Sequence, residues 1–394
     1  MMKAAVVVLA LALALTADVP AGAAPLLSSS SDLPPQMANH SFLFVVGAHH
    51  SGTTILDLVI CQHPSVSCLL DTNVPENEGQ HLQHVYPSAA RTGGDLGYGF
   101  DPRSRVTEES DFVTDDNRLA IFNAWAKFWD LRKPVLLEKS PPHMLKMRFL
   151  QALFTGDRVS FLMTIRHPLG CAHFRYMRPQ YREEGVPDCG EEFIAHWLQL
   201  YRLAREDMEH IEHVAVIQLE DFVGRSQAMA QGYMAEMERF LGLPNKVHLQ
   251  GKQSHPRPAV AAAAARRGRT RRNSPGGSDP SASAAGHLQS RSASQSPNSH
   301  PQADQLRPQS QRKLLGYHGD RHHVQVSFGS AMRWVDDWNA LVDMSSPTCQ
   351  NLIAKYEDEL NQYGYSLRNL SHVTQPKVLR EHLLKFEVIE DQED

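Results

Sequence analysis

Along most of the chain, short apolar runs alternate with stretches of helical period. Phe42 to Val46 is an unbroken apolar run that reads as a fully buried strand, and Thr53 to Ile60 reads as the helix that leaves it. Pro134 to Leu137, Val159 to Ile165 and Val214 to Leu219 are further runs of strand length with β-branched content. Between the last two, Phe193, Trp197, Tyr201, Ala204, Met208 and Ile211 recur at three- and four-residue steps. That spacing predicts a helix of about six turns whose aromatic and methionine stripe is core packing. Strands alternating with helices predict βαβ units, hence an α/β fold with a parallel sheet and helices on both faces. Trp334, Val335, Trp338, Leu341 and Val342, then Leu352, Ile353, Tyr356 and Leu360, predict two short helices that close the same domain.

The pattern fails in two places. After Lys3, an apolar run from Ala4 to Leu15 leads to the small residues Ala21-Gly-Ala-Ala24, the order of a secretory signal peptide over 1–24. The run is short of the roughly 20 residues that span a bilayer, so a signal anchor is the lesser alternative. The expected location is the secretory pathway, in the Golgi lumen or secreted, with no integral span beyond a possible N-terminal anchor. The sequons Asn39-His-Ser41 and Asn369-Leu-Ser371 fit that compartment. The second break runs over 251–313, which holds eleven Lys/Arg, two Asp/Glu and no aromatic residue. Such a segment cannot bury enough apolar area to offset its ordering entropy and is expected to be a disordered basic insert. It separates a core over 41–250 from a closing region over 314–394.

Composition adds bounds. With 394 residues, 42% hydrophobic and 21% charged, the chain is long and apolar enough for a real core. A formal charge of -5 argues against a dedicated nucleic-acid partner. The cysteines, Cys61, Cys68, Cys171, Cys189 and Cys349, form no CxxC pair, so no metal site is expected. Their odd number leaves at least one thiol free, and Cys171 with Cys189 is one possible pair.

The richest chemistry lies in Phe42-Leu-Phe-Val-Val-Gly-Ala-His-His-Ser-Gly-Thr-Thr54. A buried strand running through a glycine-bounded loop into a helix aims backbone N–H groups and the positive helix end at one anion-sized hollow. Gly47 and Gly52 have Walker A spacing and Thr54 occupies its hydroxyl position, but Thr53 replaces the lysine, which counts against an ordinary NTPase or kinase. Glu138 and Lys139 end a second buried strand and Arg166 ends a third. A phosphate loop, a lysine and an arginine on one sheet edge suit a multiply anionic ligand.

These motifs resemble the sulfotransferase superfamily. Gly47-Ala-His-His-Ser-Gly-Thr-Thr54 is similar to its 5′-phosphosulfate loop, Glu138-Lys-Ser-Pro141 to its Glu-Lys-Thr/Ser-Pro strand end, and Ile165-Arg-His-Pro168 to the start of its 3′-phosphate strand. Gln218-Leu-Glu-Asp-Phe222, Phe240-Leu-Gly-Leu-Pro244 and Tyr363-Gly-Tyr-Ser366 follow in family order. The resemblance implies a three-layer, P-loop NTPase-like fold, 3′-phosphoadenosine 5′-phosphosulfate as co-substrate, no metal, and a hydroxyl-bearing acceptor, a glycan or secreted protein. It implies that Gly47, Ala48, His49, His50, Ser51, Gly52, Thr53, Thr54 and Arg166 bind the nucleotide. His50 and Lys139 would stabilise the bridging and sulfuryl oxygens. Glu78 is the preferred general base over Glu76, His81 and His84. Two positions depart from the pattern: His50 stands where the family has Lys or Arg, and Phe174 where it has the 3′-phosphate serine. They motivate one alternative, a nucleotide-binding protein that has lost catalysis; a lumenal P-loop kinase is a separate, lesser reading that the missing Walker lysine speaks against.

Overall fold

The computed structural model describes residues 33–177, 186–224, 226–251, 325–326 and 331–384. The chain divides into two units, Met1–Lys252 with His322–Asp394, and Gln253–Arg321. All described residues belong to the first. The expected signal segment over 1–24 and all but the first residue of the expected basic insert lie outside the described residues.

Five strands form a parallel sheet: β1 (Ser41–Gly47), β2 (Val66–Cys68), β3 (Val135–Lys139), β4 (Val159–Ile165) and β5 (Val214–Gln218), in the order β2-β3-β1-β4-β5. The long apolar run of β1 follows from burial on both faces. Phe42, Phe44 and Val46 enter one core, while Leu43 and Val45 enter the other with Leu56 and Val59 of α1 (Thr53–Ile60). The first core is covered by α2 (Asp115–Ala126), α3 (Met147–Phe154), α4 (Pro168–Tyr176) and α5 (Glu191–Met208). On the second lie α6 (Leu219–Gly224) and α7 (Gln227–Phe240). This is the three-layer α/β architecture expected from the sequence.

The strands lengthen and shorten against expectation at their ends. β3 runs on through Glu138 and Lys139, both buried, and β5 stops at Gln218 because Leu219 opens α6. The aromatic stripe forms an 18-residue helix, five turns rather than six. Ile211 lies beyond its end, in a turn closed by His210 N–H to Asp207 O, and is buried nonetheless.

A two-residue strand β6 (Gln250–Gly251) pairs with β7 (Gln325–Val326). The closing region forms two helices as expected, α8 (Trp334–Leu341) and α9 (Pro347–Gln362). Residues 382–384 then add to the outer edge of β5, with Val216 N donating to His382 O and Leu384 N to Val216 O.

The suggested Cys171–Cys189 pair is not formed. Cys61 bonds Cys68, Cys189 bonds Cys349, and Cys171 is a free thiol inside α4 whose burial pushes it up to about 12. Helix α4 turns Cys171 inward against Arg166 O, whereas Cys189 faces the first turn of α9. No helix of the described residues is long and apolar enough to cross a membrane.

Candidate active site

The crevice lies at the carboxyl ends of β3, β1 and β4, where the chain reverses its direction of travel across the sheet. Between β1 and α1 the backbone adopts positive φ at Gly47, His50 and Gly52. A Cβ at Gly47 would sit 2.6 Å from Thr164 Oγ1 and 2.7 Å from Ser51 Oγ, so only glycine lets the loop leave β1 this close to β4. Ser51 is spent inside the loop: its hydroxyl donates to Ala48 O at 2.6 Å and lies 2.7 Å from Thr164 Oγ1. Gly52 caps α1 with no side-chain hydrogen bond, which leaves the first-turn N–H groups facing the loop. Thr53 is buried and Thr54 half-buried at that helix start.

Tyr201 and Trp197, expected as core, also buttress this edge. The Tyr201 hydroxyl donates to Thr164 O at 2.7 Å and accepts from Ala48 N at 3.4 Å, while Trp197 Nε1 donates to Arg166 O.

Arg166 joins the loop directly, its Nη1 donating to His50 O at 3.2 Å. The side chain is buried and its Nε has no hydrogen-bond partner among the described residues. Phe174, where a serine would donate a hydroxyl, instead presents its ring face 4.5 Å from the Arg166 guanidinium carbon. Behind Arg166 the remaining motifs meet. Glu220 accepts from His167 N at 2.8 Å and from the Tyr365 hydroxyl at 3.1 Å, and His167 Nε2 donates to Ser366 O. Burial holds His167 down to about 3, so it is a neutral strut.

On the other side of the crevice, Lys139 Nζ donates to Glu78 Oε1 at 3.0 Å and to Glu76 O at 3.1 Å. Lys139 and Glu78 are both buried. Burial opposes the Lys139 charge, yet Glu78 and Asp57 outweigh it and hold the ammonium above an ordinary lysine. Burial likewise opposes the Glu78 charge, but Lys139, His49 and a hydrogen bond from Gln80 keep the carboxylate below its usual range. Of the four candidate bases, Glu78 is the one ion-paired to Lys139. Glu76 is exposed and bonds Lys139 through its backbone carbonyl, its carboxylate adding only a minor charge effect, His81 lies 3.8 Å from Glu78, and His84 is exposed. His49 stands nearby, its ring edge-on to Tyr98 and its Nδ1 3.7 Å from Asp95.

Glu78 is held by a network that sequence reasoning missed. Both backbone polar groups of the next residue are fixed, Gly79 N donating to Glu138 Oε1 at 2.8 Å and Gly79 O accepting from Trp125 Nε1 at 3.0 Å. The other oxygen of Glu138 accepts from His143 Nδ1 at 2.7 Å, and His143 Nε2 shares a hydrogen bond with the Tyr86 hydroxyl at 2.8 Å. Glu138, read from sequence as half of a charged pair, is therefore a buried anchor for the Glu78 loop. If Glu78 is the base, Tyr86→Phe, which keeps the ring and removes the hydroxyl, is expected to lower kcat about 10-fold without changing nucleotide affinity, because a loosened carboxylate is misplaced rather than lost. Steady-state kinetics with calorimetric nucleotide titration checks this; equal loss in both would make the chain merely structural.

A family model described as "Sulfotransferase family" matches residues 43–246, from β1 through α7. The chain belongs to the sulfotransferase family. Similar solved structures include a sulfotransferase from Alicyclobacillus acidocaldarius (19% identity, TM-score 0.34, covering 54% of this chain and 86% of that one). The sulfotransferase domain of the Synechococcus PCC 7002 olefin synthase (14%, TM-score 0.31, 52% and 74%) and that of the curacin biosynthetic pathway (12%, TM-score 0.32, 80% and 97%) are also similar. No curated protein sequence matches. In this sulfotransferase the glycine-bounded loop, Lys139 and Arg166 lie at the carboxyl ends of β1, β3 and β4, and Glu78 reaches Lys139 from the segment after β2.

Proposed function

We propose that this sulfotransferase moves a sulfuryl group from 3′-phosphoadenosine 5′-phosphosulfate to a hydroxyl of a glycan or secreted protein. The observation that carries the reading is the direct link between the two halves of an anion site: the buried Arg166, its Nε without a hydrogen-bond partner among the described residues, bonded to His50 O of a glycine-bounded loop. A loop that only glycine at Gly47 and Gly52 lets pack this tightly against Thr164 and Leu219, with Arg166 and Lys139 as cations beside it, suits a nucleotide carrying phosphates at both ends.

When bound, the nucleotide supplies an activated sulfuryl group whose bridging oxygen gains charge as it leaves. The loop backbone and the Thr53 and Thr54 hydroxyls hold the 5′-phosphate, and Arg166 takes the 3′-phosphate. His50 and Lys139 stabilise the departing oxygen. Glu78 accepts the acceptor's proton. The last two roles are linked by the ion pair: as Lys139 turns its ammonium toward the sulfuryl oxygens, Glu78 loses the charge that depresses its pKa and becomes the stronger base.

A lumenal setting is supported by two disulfides and by the exposure of Asn39 and Asn369. The reading is tested with adenosine 3′,5′-bisphosphate in magnesium-free buffer. At 100 times Kd, ligand is expected to stabilise the protein by about 2.7 kcal/mol, and Arg166→Ala to remove most of that gain. An unchanged melting temperature in the wild type would overturn the donor assignment. Labelled donor incubated with secreted glycans and peptides then identifies the acceptor.

A further inference from the structure

The Cys61–Cys68 disulfide has no part in the sulfuryl-transfer reading, and a carboxyl group lies against it. Asp57 sits one turn before Cys61 on α1, and its buried Oδ1 is 3.2 Å from Cys61 Sγ. The carboxyl oxygen and both sulfurs fall within 4.8 Å of one another. A disulfide sulfur has no proton to give, so a hydrogen bond across this contact must come from the carboxyl's own O–H. The surroundings favour that form. Burial pushes Asp57 up to about 7; Lys139 opposes the shift, while Glu138 and Glu78 add to it, and these are the charged groups that face it. Cys61 is half-buried and Cys68 buried, so Cys61 is the more exposed end of the bond.

We propose that Cys61–Cys68 is a thiol-exchange site for a dithiol reductant, with Asp57 as the proton donor to the departing sulfurs. In the first step a reductant thiolate attacks Cys61 Sγ, the Cys61–Cys68 bond breaks, and Cys68 leaves with its electron pair and takes the Asp57 proton. Solvent reprotonates Asp57. The reductant's second thiolate then attacks its own sulfur in the mixed disulfide, closing a cyclic disulfide, and Cys61 leaves with a second proton from Asp57. The reductant ends oxidised by two electrons and the protein carries two thiols. The donor matters because a thiolate released at the buried Cys68 would be poorly solvated. The site also has reach: the bridge ties the end of the phosphate-loop helix to β2, whose continuation carries Glu78.

The test is reduction of the full-length protein by dithiothreitol, quenched by alkylation and mapped by peptide mass spectrometry. Cys61 and Cys68 are expected to open before Cys189 and Cys349, which are both buried. Near pH 6, Asp57→Asn is expected to slow the opening at least about 10-fold, with the ratio closing above about pH 8 as Asp57 ionises in the wild type. Comparison at one pH cancels the reductant's own ionisation. Should the variant fold poorly, the wild type alone decides: its rate per reductant thiolate should fall as pH rises through about 7. Earlier opening of Cys189–Cys349, equal rates for the two proteins near pH 6, or a flat wild-type profile would each overturn the proposal.

Discussion

Lys139→Met is expected to lower kcat by about 10²- to 10³-fold, the loss typical of removing a positioned donor to developing charge. It should also destabilise the fold by about 3–5 kcal/mol, because Glu78 would be left buried without its counter-charge. The two effects separate by a second change. Adding Glu78→Leu removes the orphaned carboxylate and should restore much of the melting temperature but none of the turnover. The pH window follows from the pair. Glu78 contributes above the ordinary carboxylate value of 4.5, and that contribution disappears as pH falls through its lower folded value. Lys139 contributes below 10.5 and loses its share as pH climbs through its raised value. The stability gap between wild type and Lys139→Met should therefore shrink in acid and widen above about pH 7, where Asp57, whose charge Lys139 also offsets, ionises. A variant that melts with the wild type and releases adenosine 3′,5′-bisphosphate at the same rate would remove Lys139 from the mechanism.

Cys349→Ser is expected to cost about 2–5 kcal/mol. The bond it removes joins positions 160 residues apart, so it constrains a long stretch of the unfolded chain. The damage should reach the nucleotide. Helix α9 carries Glu357, whose carboxylate accepts from Ser366 Oγ at 2.7 Å and Leu367 N at 2.7 Å, and so holds the segment with Tyr365 and Ser366 behind Arg166. Denaturant unfolding of Cys349→Ser and of the Cys189→Ser/Cys349→Ser double variant should give matching losses, accompanied by weaker nucleotide binding. Unchanged midpoints would show that packing of Leu352, Ile353 and Leu360 alone secures the helix.

The parts of this site that announce themselves in the sequence are those made by neighbouring residues. A buried strand, a glycine pair five apart and a helix start are local, and so were Lys139 and Arg166 at the ends of apolar runs. What escaped depends on distant segments. Strand β2 is three residues long and has no period to detect. The disulfide partners are set by where helices turn their faces, and spacing alone offered Cys171, which α4 buries against Arg166 O. The support of Glu78 is assembled from Tyr86, Trp125, Glu138 and His143, drawn from three separate stretches. His143 follows two prolines in a single tight turn, with no pattern to set it apart from any other buried histidine. Phe174 was legible as a departure, but not its consequence, a ring on the guanidinium face instead of a hydroxyl.

The meeting of Glu220, His167, Tyr365 and Ser366 behind Arg166 bears on the order in which the protein can be made. The loop, Lys139 and Arg166 all leave the ribosome more than 150 residues before Tyr365. Until that later segment arrives, Glu220 lacks its tyrosine, His167 its carbonyl, and β5 the edge partner supplied by residues 382–384. A nascent chain halted after β5 should thus hold most of the sheet but not a finished anion site. Competence for the nucleotide would come as a late, post-translational step, governed by contacts of long sequence separation.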